Sequence, residues 1–323
     1  MTEPDEIDPD EDEALPVTNR PFAKPKALYP GARICVIAPS GVFDRALFMK
    51  GVERLSARYD VAYGQDIFER QGYLAGSDAR RVRELALALE DPFCQAILCA
   101  RGGYGALRIV PQVSLAKVAV RPKLLVGFSD ITALHVVWQR ARVTSLHASM
   151  AASMGQLSDA AFARWVRVME GAVPEAREVE VIVPGSCEGT IMGGNLSLLH
   201  ALEGTPYSAN AIGKIVFLED VGEAPYRIDR MLTTLRLSGF FDGAVGIVLG
   251  AFTKASAGPD GVSADEVLRE RLSDLEIPVV RTGAYGHVDE NEELPFGVHA
   301  RIHATASRRT LEFLESPLAT SAE

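Results

Sequence analysis

Short apolar runs punctuate the first half of this 323-residue chain. "RICVIAPSG" (33–41), "CQAILCA" (94–100) and "KLLVGF" (123–128) each stop at a turn of Gly, Pro or Ser. Runs of this length between turn signals predict buried strands. The stretches between them have helical spacing. "DRALFMKGVERLSARY" predicts one helix. "GSDARRVRELALALEDP" (76–92) predicts another, which Ser77 can cap, Val82, Leu85 and Leu89 face with one side, and Pro92 ends. Apolar strands alternating with helices imply parallel βαβ units. Ligands of such sheets bind beyond the carboxyl ends of the strands. The turns "PSG", "RGGYG" and "GFSD" should therefore meet along one rim.

The second half has a different texture. Residues 151–180 read as a helical connection into "EVEVIVPG". "CEGTIMGGNLSLLHAL" places a Gly-rich turn before a helix, and "KIVFLEDV" (214–221) is a strand ending in acids. "PYRIDRMLTTLRLSGFF" is an amphipathic helix with Ile228, Met231, Leu232 and Leu235 at helical spacing, and "AVGIVLGAF" is a further buried strand. "SADEVLRERL" (263–272) opens on a capping box from Ser263 to Glu266. "VHARIHA" (298–304) alternates, with His299, Arg301 and His303 on one face. The expected fold is α/β. A parallel-sheet, Rossmann-like domain spans 31–155, a connection spans 156–180, and a second domain spans 181–318, with a cleft between the two domains.

Composition narrows the function. The chain is 47% hydrophobic and 24% charged, ordinary for a protein with a large core. Much of the net charge of −10 comes from the acids between Glu3 and Glu13, so residues 1–30 are set apart as an acidic, solvated tail. The remainder is near neutral and has no basic stripe, which argues against nucleic acid as a partner. No apolar run approaches the roughly 20 residues of a membrane helix. The start lacks the basic and apolar stretches of a signal peptide, so a cytoplasmic location is expected. Cys35, Cys94, Cys99 and Cys187 match no zinc or CxxC spacing and read as small buried thiols.

Four stretches carry candidate chemistry. Ser129 in "LLVGFSDITALH" follows an apolar strand and precedes a helix. At the tip of a strand–turn–helix its hydroxyl would stand above the sheet as a nucleophile, with helix-start amides beside it. The hydrolase elbow G-x-S-x-G is incomplete, because Ile131 replaces the second Gly, and Ser129 could equally be a helix cap. In "ARGGYGALR", Gly102, Gly103 and Gly105 let backbone approach a ligand. That turn could cradle phosphate, supply oxyanion amides, or simply be tight.

"FLEDVGEAPYRIDR" supplies Glu219, Asp220, Glu223 and Asp229, with Arg227 and Arg230 on one helical face. A carboxylate after a strand can orient a histidine, and two arginines can grip a substrate carboxylate. The acids could instead hold magnesium, or form surface ion pairs. Asn195, at the end of the "GGN" turn, is a further candidate substrate contact. His287 in "AYGHVDENEELPFG" sits in a loop after a strand. His135, His147 and His200 all follow Leu and read as structural histidines in helices. His299 and His303 lie about 13 Å apart by strand rise, too far to share a metal. Ser129, Glu219 and His287 thus form a candidate Ser–Glu–His triad in the chain order of α/β hydrolases.

These motifs in this order resemble the LD-carboxypeptidases (muramoyltetrapeptide carboxypeptidases) and the related microcin C self-immunity peptidases. The likeness runs over roughly residues 33–305 through "VIAPSG", "GYLAGSD", "RGGYGALR", "GFSDITALH", "GTIMGGNLSLL", "FLEDVGEAPYRIDRML" and "GHVDENEELPFGVHARI". The resemblance implies an N-terminal α/β domain, a β-rich C-terminal domain, and an active site between them. It implies a serine peptidase without metal or cofactor, with Ser129 as nucleophile, Glu219 as triad acid and His287 as general base. The amides of Asp130 and of Gly103 or Gly102 would form the oxyanion hole. Arg227, Arg230 and Asn195 are the candidate substrate contacts, the substrate being a small peptidoglycan tetrapeptide that loses its terminal D-alanine. A homodimer is also implied. The rivals are a peptidase of aminoacyl or peptidyl nucleotides, a metal-dependent hydrolase, and a non-enzymatic binding protein.

Overall fold

A computed structural model of the chain describes residues 21–320. In the first half, β1 (Arg33–Ile37), β2 (Asp60–Ala62), β3 (Cys94–Cys99), β4 (Leu124–Gly127) and β5 (Ser145–His147) form a parallel sheet in the order β5-β4-β3-β1-β2. β4 is buried at all four positions, which is why it reads as an unbroken apolar run. Helices cover both faces. Asp44 caps the helix Arg45–Ser56 by accepting from Leu47 N at 2.8 Å, and Ser77 caps Asp78–Glu90 by accepting from Arg80 N at 3.2 Å. Phe48, Leu55, Leu146 and Trp165 fill one face, and Leu85, Leu134, Val137 and Trp138 fill the other. Each buried side chain of this kind contributes about 1.5–3 kcal/mol through lost apolar surface.

The second half builds a larger, mixed sheet. Its strands are β6 (Arg177–Glu178), β7 (Glu180–Val183), β8 (Gly185–Asn195), β9 (Lys214–Val221), β10 (Gly246–Thr253) and β11 (Val279–Arg281). β13 (His299–Ala304) and β14 (Arg309–Phe313) complete it, while β12 (Leu294–Phe296) lies outside it. The order in the sheet is β6-β14-β13-β8-β9-β10-β11-β7, with β8 to β11 parallel and the flanks antiparallel. The fold is thus α/β in two sheets, as expected.

Four features depart from the sequence reading. Residues 1–20 of the expected tail lie outside the described residues, but 21–30 pack against the first half. Ala23 N donates to Arg142 O at 2.7 Å, Leu28 N donates to Met169 O at 2.9 Å, and Leu28 is buried. The stretch 156–180 is more than a connector. Its helix Asp159–Met169 buries Trp165 in the first core, and its end already supplies β6 to the second sheet. β12 leaves the second sheet and pairs antiparallel with β5 of the first. Its Leu294 and Phe296 pack with Phe217, Tyr285 and Ile302 of the second half, so the segment joins the two halves. Finally, His147 lies on β5 and not in a helix. Val143 and Thr144, β-branched residues after a left-handed turn at Arg142 (φ 58°), start the chain toward a strand.

Candidate active site

The strand ends of the first sheet do converge. The "PSG" turn after β1 and the "RGG" turn after β3 are joined by Gly41 N donating to Gly102 O at 3.1 Å. The "RGG" turn in turn lies against the end of β4. A Cβ placed on Gly102 would stand 2.9 Å from Ser129 Cβ and 3.1 Å from its Oγ. Only a glycine lets the backbone come this close to the serine.

Ser129 has φ 66°, one of four positive values among the described non-Gly residues. A serine held in the left-handed region at a strand-to-helix turn is the strained elbow geometry, and it is achieved without the second Gly. The helix-cap alternative fails on geometry. Phe128 occupies the cap position of the 3-10 turn Ser129–Ile131, and no side-chain cap hydrogen bond is present there. Asp130, expected to act through its backbone amide, also uses its carboxylate. Its Oδ2 accepts from Ala106 N at 2.8 Å, which ties the glycine turn to the elbow. Burial pushes this carboxyl up, while Ser40 and the Ala106 amide draw it partway back. The amides of Gly103 and Asp130 donate no turn or loop hydrogen bond among the described residues. They remain available to a developing oxyanion.

A buried polar platform supports these turns. Arg80 donates to Ala75 O at 3.0 Å and to Ala38 O at 3.1 Å, and pairs with Glu84 at 2.9 Å. Glu84 also accepts from Ala38 N at 2.7 Å. Arg81 donates to Pro39 O and, at 2.7 Å, to Gly105 O. Neither arginine stood out in the sequence, because each sits among ordinary helix charges.

The second sheet brings the acid and the histidine. Glu219 and Asp220 end β9 and are buried. His287 lies in the loop between β11 and β12, and its Nδ1 is 2.7 Å from Glu219 Oε2. Gly286 makes this possible: its φ is 118°, and a Cβ there would meet Glu219 Oε2 at 3.0 Å. The loop is pinned by Gly286 N donating to Asn291 Oδ1 at 2.8 Å and by Thr253 Oγ1 donating to His287 O at 3.3 Å. The Phe128 ring, one residue before Ser129, lies 5.0 Å from the His287 ring and 5.4 Å from that of His147. Burial holds His147 well below the usual histidine range, so it is neutral beneath the site.

Asn195 is nearly inaccessible, at 3% exposure, and its side chain turns onto the acids. Nδ2 donates to Glu219 Oε1 and to Asp220 Oδ1, both at 3.2 Å. Asp220 also accepts from Ser197 N at 2.9 Å, and burial pushes its carboxyl up to about 6. Arg227 pairs with Glu223 at 3.2 Å, Arg230 lies over the Tyr226 ring, and Asp229 pairs with Arg271 at 2.7 Å. The four acids considered for magnesium are therefore all engaged by protein partners, Glu219 and Asp220 sharing Asn195. Gly102 lies against Ser129, His287 and Asn195 both bond Glu219, and the Phe128–His287 ring contact links the two groups. Arg227 and Arg230, on the helix Pro225–Leu237, have other partners, Glu223 just before the helix and Tyr226 within it.

Comparison with known proteins identifies the family. The LD-carboxypeptidase N-terminal domain matches residues 34–148, and the LD-carboxypeptidase C-terminal domain matches residues 188–302. A Bacillus subtilis protein named as a murein peptide carboxypeptidase is 32% identical, over 90% of this chain and 94% of its own. The murein tetrapeptide carboxypeptidase of Pseudomonas aeruginosa is 28% identical, over 90% of this chain and 100% of its own. The crystal structure of muramoyltetrapeptide carboxypeptidase from Oxalobacter formigenes superposes with a TM-score of 0.79 at 29% identity, covering 87% of this chain and 98% of that one. The microcin C7 self-immunity protein MccF of Escherichia coli is a more distant relative, 24% identical over 82% of this chain and 88% of its own. The chain belongs to the LD-carboxypeptidase family of peptidases.

Proposed function

We propose that this peptidase releases the terminal D-alanine of peptidoglycan tetrapeptides through an acyl-enzyme on Ser129. The observation that carries the reading is the hydrogen bond between His287 and Glu219, with the His287 ring against Phe128, the neighbour of a serine held in an elbow conformation. With Nδ1 donating to Glu219, His287 presents Nε2 as the proton acceptor. It takes the Ser129 proton as Oγ attacks the carbonyl before D-alanine. The amides of Gly103 and Asp130 receive the negative charge on the oxygen, and Glu219 stabilises the imidazolium. His287 then returns the proton to the leaving amine, and D-alanine departs. Water, activated by the same histidine, hydrolyses the ester. The peptide substrate follows from the relatives named for murein peptides.

The test offers the protein a murein tetrapeptide and an aminoacyl nucleotide analogue in parallel. Release of D-alanine from the first with no cleavage of the second is expected. The opposite result would reassign the substrate to the nucleotide class that the MccF relationship allows.

A further inference from the structure

A carboxypeptidase differs from an endopeptidase in requiring a free carboxylate one residue beyond the scissile bond. Some cation near the nucleophile must recognise it, since a carboxylate without a partner costs several kcal/mol to desolvate. Arg227 already pairs with Glu223, Arg230 lies over the Tyr226 ring of its own helix, and Arg108 and Arg81 both pair with Asp78. Arg101 is different. It directly precedes Gly102, the residue whose Cβ position would touch Ser129. It is exposed, and no carboxylate lies within ion-pair distance of it among the described residues. Its Nη1 donates to Val42 O at 2.7 Å. That bond ties the guanidinium to the residue that follows the "PSG" turn and leaves the rest of its five-donor fork open.

We propose that Arg101 is the specificity-determining residue that binds the free terminal carboxylate of the substrate. The geometry suits the chemistry. One residue spans roughly 3.3–3.6 Å, so the terminal carboxylate lies close to the attacked carbonyl. Arg101 stands one residue from the backbone that contacts the nucleophile. A fork oriented in advance by Val42 can accept a carboxylate in bidentate fashion with little ordering cost. This assignment rests on Ser129 being the nucleophile.

The experiment compares wild type, Arg101→Met and Arg101→Lys on two substrates. One is a tetrapeptide ending in free D-alanine, and the other is the same peptide as a C-terminal amide. Arg101→Met should lower kcat/KM on the acid by on the order of 10- to 100-fold, mainly through KM, as expected for a lost charge-assisted hydrogen bond. Turnover of the amide should change less than about threefold, leaving Arg101→Met with little preference between the two substrates. Arg101→Lys should recover part of the preference. An equal fall on both substrates, which loss of the Val42 contact alone would produce, overturns the assignment, and so does an unchanged preference. A wild type that cleaves neither peptide would overturn the functional reading itself, and this one with it.

Discussion

His287 Nδ1 and Glu219 Oε2 meet at 2.7 Å across 68 residues of chain, one from a loop of the second half and the other from a buried strand end. Glu219 is fully buried, so its contact with the imidazole has little competition from water. In the proposed mechanism it sets the tautomer of His287. Glu219→Gln should then lower kcat by about 1,000- to 10,000-fold while KM stays within a few-fold. Steady-state kinetics on the tetrapeptide check this, and a loss below about tenfold would remove Glu219 from the mechanism.

Gly102→Ala is the sharpest steric test of the elbow. The added methyl would sit 2.9 Å from Ser129 Cβ and 3.2 Å from Phe128 O. Either Ser129 or the "RGG" turn must shift. The expected result is a fall in kcat of about 100-fold or more, with a folded protein by circular dichroism. Unimpaired turnover would mean that the turn does not pack on the nucleophile.

Asn195→Ala removes a donor shared by two buried carboxylates. Leaving such groups short of a partner costs about 1–3 kcal/mol. A lower melting temperature and a reduced kcat with little change in KM are expected. A change confined to KM would instead support the substrate contact suggested by the sequence.

Stability should also depend on pH through Glu84. In the unfolded chain this carboxyl loses its proton near 4.5, whereas burial in the folded chain holds it up to about 7. The folded state therefore binds more protons between these values. The stabilisation from this group is complete below about pH 4.5 and is lost as pH rises through about 7. Glu84→Gln, which cannot titrate, should gain on wild type in thermal melts as pH rises across that window. A difference between the two proteins that does not vary with pH would contradict the burial argument.

How much of this could be read in advance follows from how local each signal was. The strands before "RGGYG" and "GFSD" and the strand ending in "LED" were legible, because their apolar runs stop abruptly at turn residues. Capping at Ser77 and Ser263 was legible because each Ser stands directly before a helical pattern. The return of β12 to the first sheet was not, since Leu294–Phe296 is too short to announce its partner. His147 was misassigned because a preceding Leu says nothing about periodicity. The Asp130 link to Ala106 and the turn of Asn195 onto the acids are contacts over 24 residues or more, invisible to local pattern. The open guanidinium of Arg101 was likewise unreadable, because lacking an acidic partner is a property of the folded surroundings.

The central claim is that Ser129 is the nucleophile of a D-alanine-releasing peptidase. The most direct measurement incubates wild type and Ser129→Ala with a murein tetrapeptide and follows the peptide by mass spectrometry. Wild type should convert it to the tripeptide by loss of one alanine, and Ser129→Ala, folded to the same melting temperature within a few degrees, should leave it intact. Alanine release by the Ser129→Ala protein at a rate near that of wild type would contradict the account.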